Sequence, residues 1–208
     1  MNIIKKWIKK NLYSSNVFIR WSIEKLFSIA RFVYDIKRLL TSQESRAVLK
    51  MKMLYSEQVH QTTAATSMNR FPVIFSACRE YYEGKDNIKI LSFGCSTGEE
   101  VITLRCYFPN ATIVGAEINE YSLNICKKHE LDEKVQFINS TKEELEKQAP
   151  FDVIFCMAVF QRTPGLIEEK NITNLKKIYP FEKFEKQIIE LDGLLKKGGM
   201  MVVHFSQY

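Results

Sequence analysis

From Ile88 onward the chain alternates short apolar runs with helix-patterned stretches, and this alternation restricts the fold more than any other feature. The runs Ile88–Phe93, Thr112–Glu117, Val135–Ile138, Val153–Met157 and Met200–Phe205 read as strands. The stretches Glu99–Tyr107, Glu120–Lys128, Lys142–Lys147 and Phe181–Leu195 read as helices, and a further helix starts at Pro72 and runs to about Tyr82. Strands apolar at nearly every position are covered on both faces. Strand–helix alternation supplies the crossovers that parallel pairing needs. The expected fold is therefore α/β, a doubly wound, mostly parallel sheet of the Rossmann-like kind. The pair Gly198-Gly199, after Lys196-Lys197, reads as a stop ahead of the last strand.

A helical extension precedes this body. Ile19, Ile23, Leu26, Ala30, Val33 and Leu40 recur at steps of three, four or their sum, one face of an amphipathic helix over Phe18–Leu40. Residues 1–60 hold 12 Lys+Arg against 4 Asp+Glu, whereas the whole chain is only +6. The expected division is a basic helical extension, 1–60, and a ligand-binding domain, 61–208. Two readings of the extension stay open: a helix packed on the body with a solvated basic back, or an element at residues 1–40 resting on an anionic membrane surface. Nucleic acid is not favoured, because no binding motif accompanies the charge.

No run approaches the roughly 18 apolar residues of a membrane span. The five cysteines, Cys78, Cys95, Cys106, Cys126 and Cys156, are unclustered and lack metal-site spacing. The expected setting is cytoplasmic, with reduced thiols, peripheral membrane contact at most and no metal.

The first strand breaks into GCSTGEE, Gly94–Glu100, where open parallel sheets bind ligands. The break is neither GxGxxG nor a P-loop, and Glu99 and Glu100 would repel a phosphate. The next strand ends in Glu117, placed to accept hydrogen bonds from both hydroxyls of a ribose. Bare glycines, a ribose acceptor and nearby carboxylates together describe an adenosine that carries an ammonium and a positive centre. S-adenosylmethionine has those features.

With these motifs in order, the chain resembles the class I S-adenosylmethionine-dependent methyltransferases. ILSFGCSTGEE, IVGAEI, FDVIFCMAVF and LLKKGGMMVVHFS carry the likeness, and TTAATSMNR at Thr62–Arg70 follows the TTxxTxxxR signature of the chemotaxis-receptor (CheR-type) glutamate methyltransferases. The resemblance covers about residues 60–206 and implies cofactor contacts. Gly94, Cys95, Ser96, Thr97 and Gly98 would lie by the methionine moiety, and Glu99 by its ammonium, unless Glu99 is only a first-turn helix acid. Arg70 would meet the carboxylate or the substrate. Glu117, with Ile118 and Asn119, would hold the ribose. Ser140 and Thr141 stand where an acid often contacts adenine, so that contact is open. Met157 and Ala158 would line the pocket near the transferred methyl.

No catalytic residue is fixed by the motifs. His204, after the last strand's apolar run, and His60, before the threonine motif, are the candidate bases. The strand that reads FCRNVLIYF in the chemotaxis enzymes reads FCMAVFQRTP here, which loses a polar pair, and their receptor-docking insertion is missing. A small-molecule or glycan-pathway acceptor is expected. The alternatives are glutamyl carboxyl methylation and a non-catalytic binding remnant. The family usually has seven strands and this chain ends after the fifth, so the expected open edge invites shielding by a second copy or by the amino-terminal segment.

Overall fold

The computed structural model describes residues 17–162 and 164–208. Among the described residues, eight helices and five strands follow in chain order: α1 (Val17–Thr41), α2 (Gln43–Leu54), α3 (Pro72–Tyr81), β1 (Lys89–Phe93), α4 (Glu99–Tyr107), β2 (Thr112–Glu117), α5 (Glu120–Cys126), β3 (Val135–Asn139), α6 (Lys142–Gln148), β4 (Phe151–Met157), α7 (Pro164–Glu169), α8 (Phe181–Asp192) and β5 (Leu195–His204). The strands form one sheet in the order β3-β2-β1-β4-β5, and every pair is parallel. The chain winds outward from β1 through β2 to β3, then returns to the other side of β1 for β4 and β5. That reversal opens a crevice at the carboxyl ends of β1 and β4.

Strand pleating divides the core. Ile90, Ile113, Val153 and Phe155 point to one face, where they meet Phe75 of α3, Leu104 of α4 and Cys126 of α5. Leu91, Val114, Ile154 and Cys156 point to the other, against Leu145 of α6 and Leu191 of α8. Continuous apolar strands thus follow from a sheet buried on both faces, as expected.

The chain divides into two compact units, Met1–Arg46 and Ala47–Tyr208. In the first, α1 leaves Leu26, Ile29, Phe32, Val33, Ile36 and Leu40 exposed. In the second, residues 47–60 are anchored ahead of the expected boundary at 60. Met51 and Val59 cluster with Ile118, and Lys50 pairs with Glu120 at 2.7 Å. Residues 1–16, which hold the Lys-rich start, lie outside the described residues.

Two expectations are corrected here. Gly198 and Gly199 do not stop the chain before β5 but sit inside it. Phe151 aligns with Leu195 and Val153 with Met200, so the intervening residues bulge opposite Asp152. Lys196 Nζ reaches Asp152 Oδ2 at 2.7 Å across that bulge. The helix α7 has no counterpart in the expected elements, and α2 falls within the expected helical extension without a separate expected range. In α2 Met51 is buried and most other positions are exposed or half-buried, so it carries little apolar period.

Candidate functional site

A cavity of about 390 Å³ opens at the carboxyl ends of β1, β2 and β4, and the segment 60–71 runs along it. The β1–α4 turn forms its floor. Gly94 takes φ 73°, and a Cβ there would stand 2.7 Å from Val159 Cγ2. Only glycine meets both demands without strain. Ser96, also left-handed at φ 53°, turns its N–H toward β2.

Glu117 is the fixed point of the cavity. Its Oε2 accepts from Ser96 N–H and its Oε1 from Asn119 N–H, each at 2.8 Å. Burial raises its pKa, while these backbone donors oppose the rise. The two amides fix the carboxylate's orientation and leave acceptor capacity on each oxygen. Ser96 Oγ is buried without a protein partner, a hydroxyl available to a ligand.

Glu100, rather than Glu99, presents its acid to the cavity. Glu99 accepts from Thr97 Oγ1 at 2.7 Å, outside the lining. Glu100 accepts from Ser92 Oγ at 2.7 Å, and burial pushes its pKa up to about 7, with the hydrogen bond and the charge of Arg70 pulling the other way. Arg70 lines the same cavity, donates to Ala65 O at 2.9 Å and lies over the Phe71 ring. An acid and a cation share one wall, a pairing suited to an α-amino acid group. The sequence held a signal for Glu100: it precedes buried Leu104 by four residues and adjoins buried Val101, the helix face turned to the sheet.

Of the expected contacts, Arg70, Gly94, Ser96, Glu117, Ile118, Asn119, Ser140, Met157 and Ala158 line the cavity. Cys95, Thr97, Gly98, Glu99 and Thr141 do not. Gly98 (φ 101°) instead begins α4, where a Cβ would meet His129 Cδ2 at 3.0 Å. His129 Nε2 donates to Thr97 O at 2.8 Å, so this half of the loop serves packing. Cys95 is fully enclosed, beside Cys126. Thr62, Thr63 and Thr66 of the threonine motif line the cavity together with Gln161, which the sequence reading did not single out.

Neither histidine has the geometry of a base. His60 lines the cavity, but its Nε2 donates to Gln187 Oε1 at 3.1 Å and its Nδ1 accepts from the Tyr179 hydroxyl. Burial lowers its pKa to about 4. His204 is outside the lining, packed on the rings of Phe71 and Phe205 at 5.1 and 4.3 Å between centroids. Among the described residues, no group of three His, Cys, Asp or Glu could hold a metal ion.

A doubly wound parallel sheet with an acid at the end of β2 and a glycine turn after β1 is a Rossmann-like arrangement. A family profile described as a methyltransferase domain matches residues 84–207, and the chain belongs to that family. It is 26% identical over 111 residues to a ubiquinone biosynthesis O-methyltransferase of Rickettsia bellii, a match covering 53% of this chain and 46% of the relative. It is 30% identical over 88 residues to a malonyl-[acyl-carrier protein] O-methyltransferase of Bacillus anthracis, covering 42% and 33%. The chain thus spans less than half the length of these relatives. Among solved structures it is similar to the plantazolicin methyltransferase BpumL bound to a monoazolic desmethylPZN analog and SAH, with 18% identity, a TM-score of 0.44, and coverage of 77% of this chain and 52% of that one. S-adenosylmethionine is the cofactor of such a domain. The cavity fits it through the open acceptor positions of Glu117, the free Ser96 hydroxyl, and Glu100 and Arg70 in one lining.

Proposed function

We propose that this chain transfers a methyl group from S-adenosylmethionine to a small-molecule or glycan-pathway acceptor. The observation that carries the reading is Glu117, its carboxylate fixed by two backbone amides and open to the same cavity as Gly94, Glu100 and Arg70. When bound, S-adenosylmethionine supplies a methyl on a sulfonium that an acceptor displaces in line.

The chain's own residues position and shield. Glu117 holds the ribose hydroxyls, Glu100 the ammonium and Arg70 the carboxylate. Ser140, at the end of β3, and Ile118 border the adenine side, while Met157 and Ala158 close the end nearest the methyl. Alignment and exclusion of water supply most of the acceleration for such a displacement. With both nitrogens of His60 engaged, the reading assigns no base to this chain.

Glutamyl methylation of a receptor is the less favoured acceptor, because the end of β4 presents Met157, Ala158 and Val159 rather than a polar pair. Calorimetric titration with S-adenosylmethionine tests the cofactor half, and methyl transfer to fractionated small-molecule and protein pools tests the acceptor half. A chain that binds the cofactor but methylates neither pool would be a binding remnant.

We further propose that residues 1–40 rest on an anionic membrane surface. Support comes from the exposed stripe Leu26, Ile29, Val33, Ile36 and Leu40 on α1, with Arg31 and Arg38 at positions on the other side of the helix. No helix of the described residues is long and apolar enough to cross a membrane. A companion proposal is self-association through β5, an edge of the sheet among the described residues. A monomer by light scattering, fully active, would end it.

A further inference from the structure

Beside the donor cavity lies a second hollow, of about 460 Å³, lined by Arg162, Lys183 and Lys186 together with Tyr179 and the acids Glu57 and Glu182. Among the described residues, no carboxylate lies within 4.0 Å of any of these three cations. Arg162 donates one Nη2 hydrogen bond to Val59 O at 2.8 Å, yet its Nε is buried with no partner. Lys183 donates to Ser56 O at 2.6 Å and has two further N–H donors. Burial lowers the pKa of both Arg162 and Lys183; at Lys183 the charges of Arg162 and Lys186 add to the lowering, and that of Glu57 opposes it. The three cations are thus held together with no carboxylate in direct ion-pair contact.

The hollow's place in the fold ties it to the donor cavity. Tyr179 forms part of its wall, and the Tyr179 hydroxyl donates to His60, which lines the donor cavity. The two ring centroids lie 5.8 Å apart. Arg162 follows Gln161, itself part of the donor cavity, on the chain leaving β4.

Resting on the methyl-transfer reading above, we propose that Arg162, Lys183 and Lys186 bind the oxyanion of the methyl acceptor, a phosphate or carboxylate that anchors it beside the donor cavity. The guanidinium offers a planar fork and the two lysines offer point charges, the usual equipment for phosphate and carboxylate groups. The acceptor is thereby an anionic compound, not a neutral one. Glu57 and Glu182 line the same hollow and limit its net positive charge.

Calorimetric titration of the full chain with inorganic phosphate, with acetate and, separately, with S-adenosylmethionine tests this. Lys186→Gln is the variant of choice, because Lys186 is exposed and donates no hydrogen bond to the backbone among those described. The expected result is saturable oxyanion binding by the wild type, weakened about five-fold or more in Lys186→Gln. Affinity for S-adenosylmethionine should stay unchanged in that variant. Tighter binding of phosphate than of acetate assigns the hollow to a phosphate, and the reverse order to a carboxylate. No saturable binding of either anion, or binding that Lys186→Gln leaves intact, overturns the proposal. Failure of the cofactor to bind instead overturns the methyl-transfer reading, whatever the anions do.

Discussion

At the scale of single residues, the site depends on two acids, Glu117 at the end of β2 and Glu100, the second acid of GCSTGEE. Glu117 carries the cofactor reading, and Glu117→Ala should weaken S-adenosylmethionine by about 1.5–3 kcal/mol, the range for hydrogen bonds to a charged group. Unchanged affinity in calorimetry would remove its ribose role. Glu100 carries the pH dependence. Its folded pKa of about 7 lies above the ordinary 4.5, so the stability tied to its protonated form is fully present below about pH 4.5 and is lost as pH rises to about 7. The loss is on the order of 3 kcal/mol for the ligand-free protein. Thermal melts of Glu100→Gln should be flatter across that window, and parallel curves for the two proteins would refute the assignment. Glu99→Gln should change neither the melt profile nor cofactor affinity, since Glu99 meets Thr97 rather than the cavity.

At the scale of elements, the segment 47–60 is tied to α8 through His60, which meets Gln187, and through Ser56, whose carbonyl accepts from Lys183. His60 joins Tyr179 and Gln187 and stays neutral because burial lowers its pKa to about 4. The stability linked to that neutral ring is present above about pH 6.5 and is lost as pH falls toward 4. His60→Phe should melt lower at neutral pH, because it leaves two buried polar groups unpaired, at about 1–3 kcal/mol each. Its melting temperature should change less than the wild type's between pH 6.5 and 4. A variant as acid-sensitive as the wild type would show that His60 is not the titrating group. Under the sheet, Phe155 is fully buried against Phe75. Phe155→Ala should cost about 3–5 kcal/mol by chemical denaturation.

At the scale of the whole molecule, the two units predict separable behaviour. The exposed apolar stripe on α1 should make the protein co-sediment with phosphatidylglycerol vesicles more than with phosphatidylcholine ones. Val33→Glu should abolish that without altering cofactor affinity. Equal sedimentation with both vesicle types would remove the charge argument.

The sequence by itself determined the fold class, the strands to within a few residues, and the place of the site. These follow from apolar runs of strand length, helical spacing between them, and a glycine break after β1, all local patterns that one chain segment displays. Glu117, Gly94, Ser96 and Arg70 were legible for the same reason: each occupies a fixed offset from a strand end or a motif. The tertiary structure settled which neighbouring acid faces the cavity, a choice that the four-residue spacing from Glu100 to Leu104 pointed to but did not fix, since one residue of helix rotation separates Glu99 from Glu100. Only it paired His60 with Tyr179 and Gln187, over 100 residues apart in the chain, and brought Arg162 beside Lys183 and Lys186. Hydrogen-bond partners and unpaired charges arise from folding distant segments together, and local spacing carries no record of them.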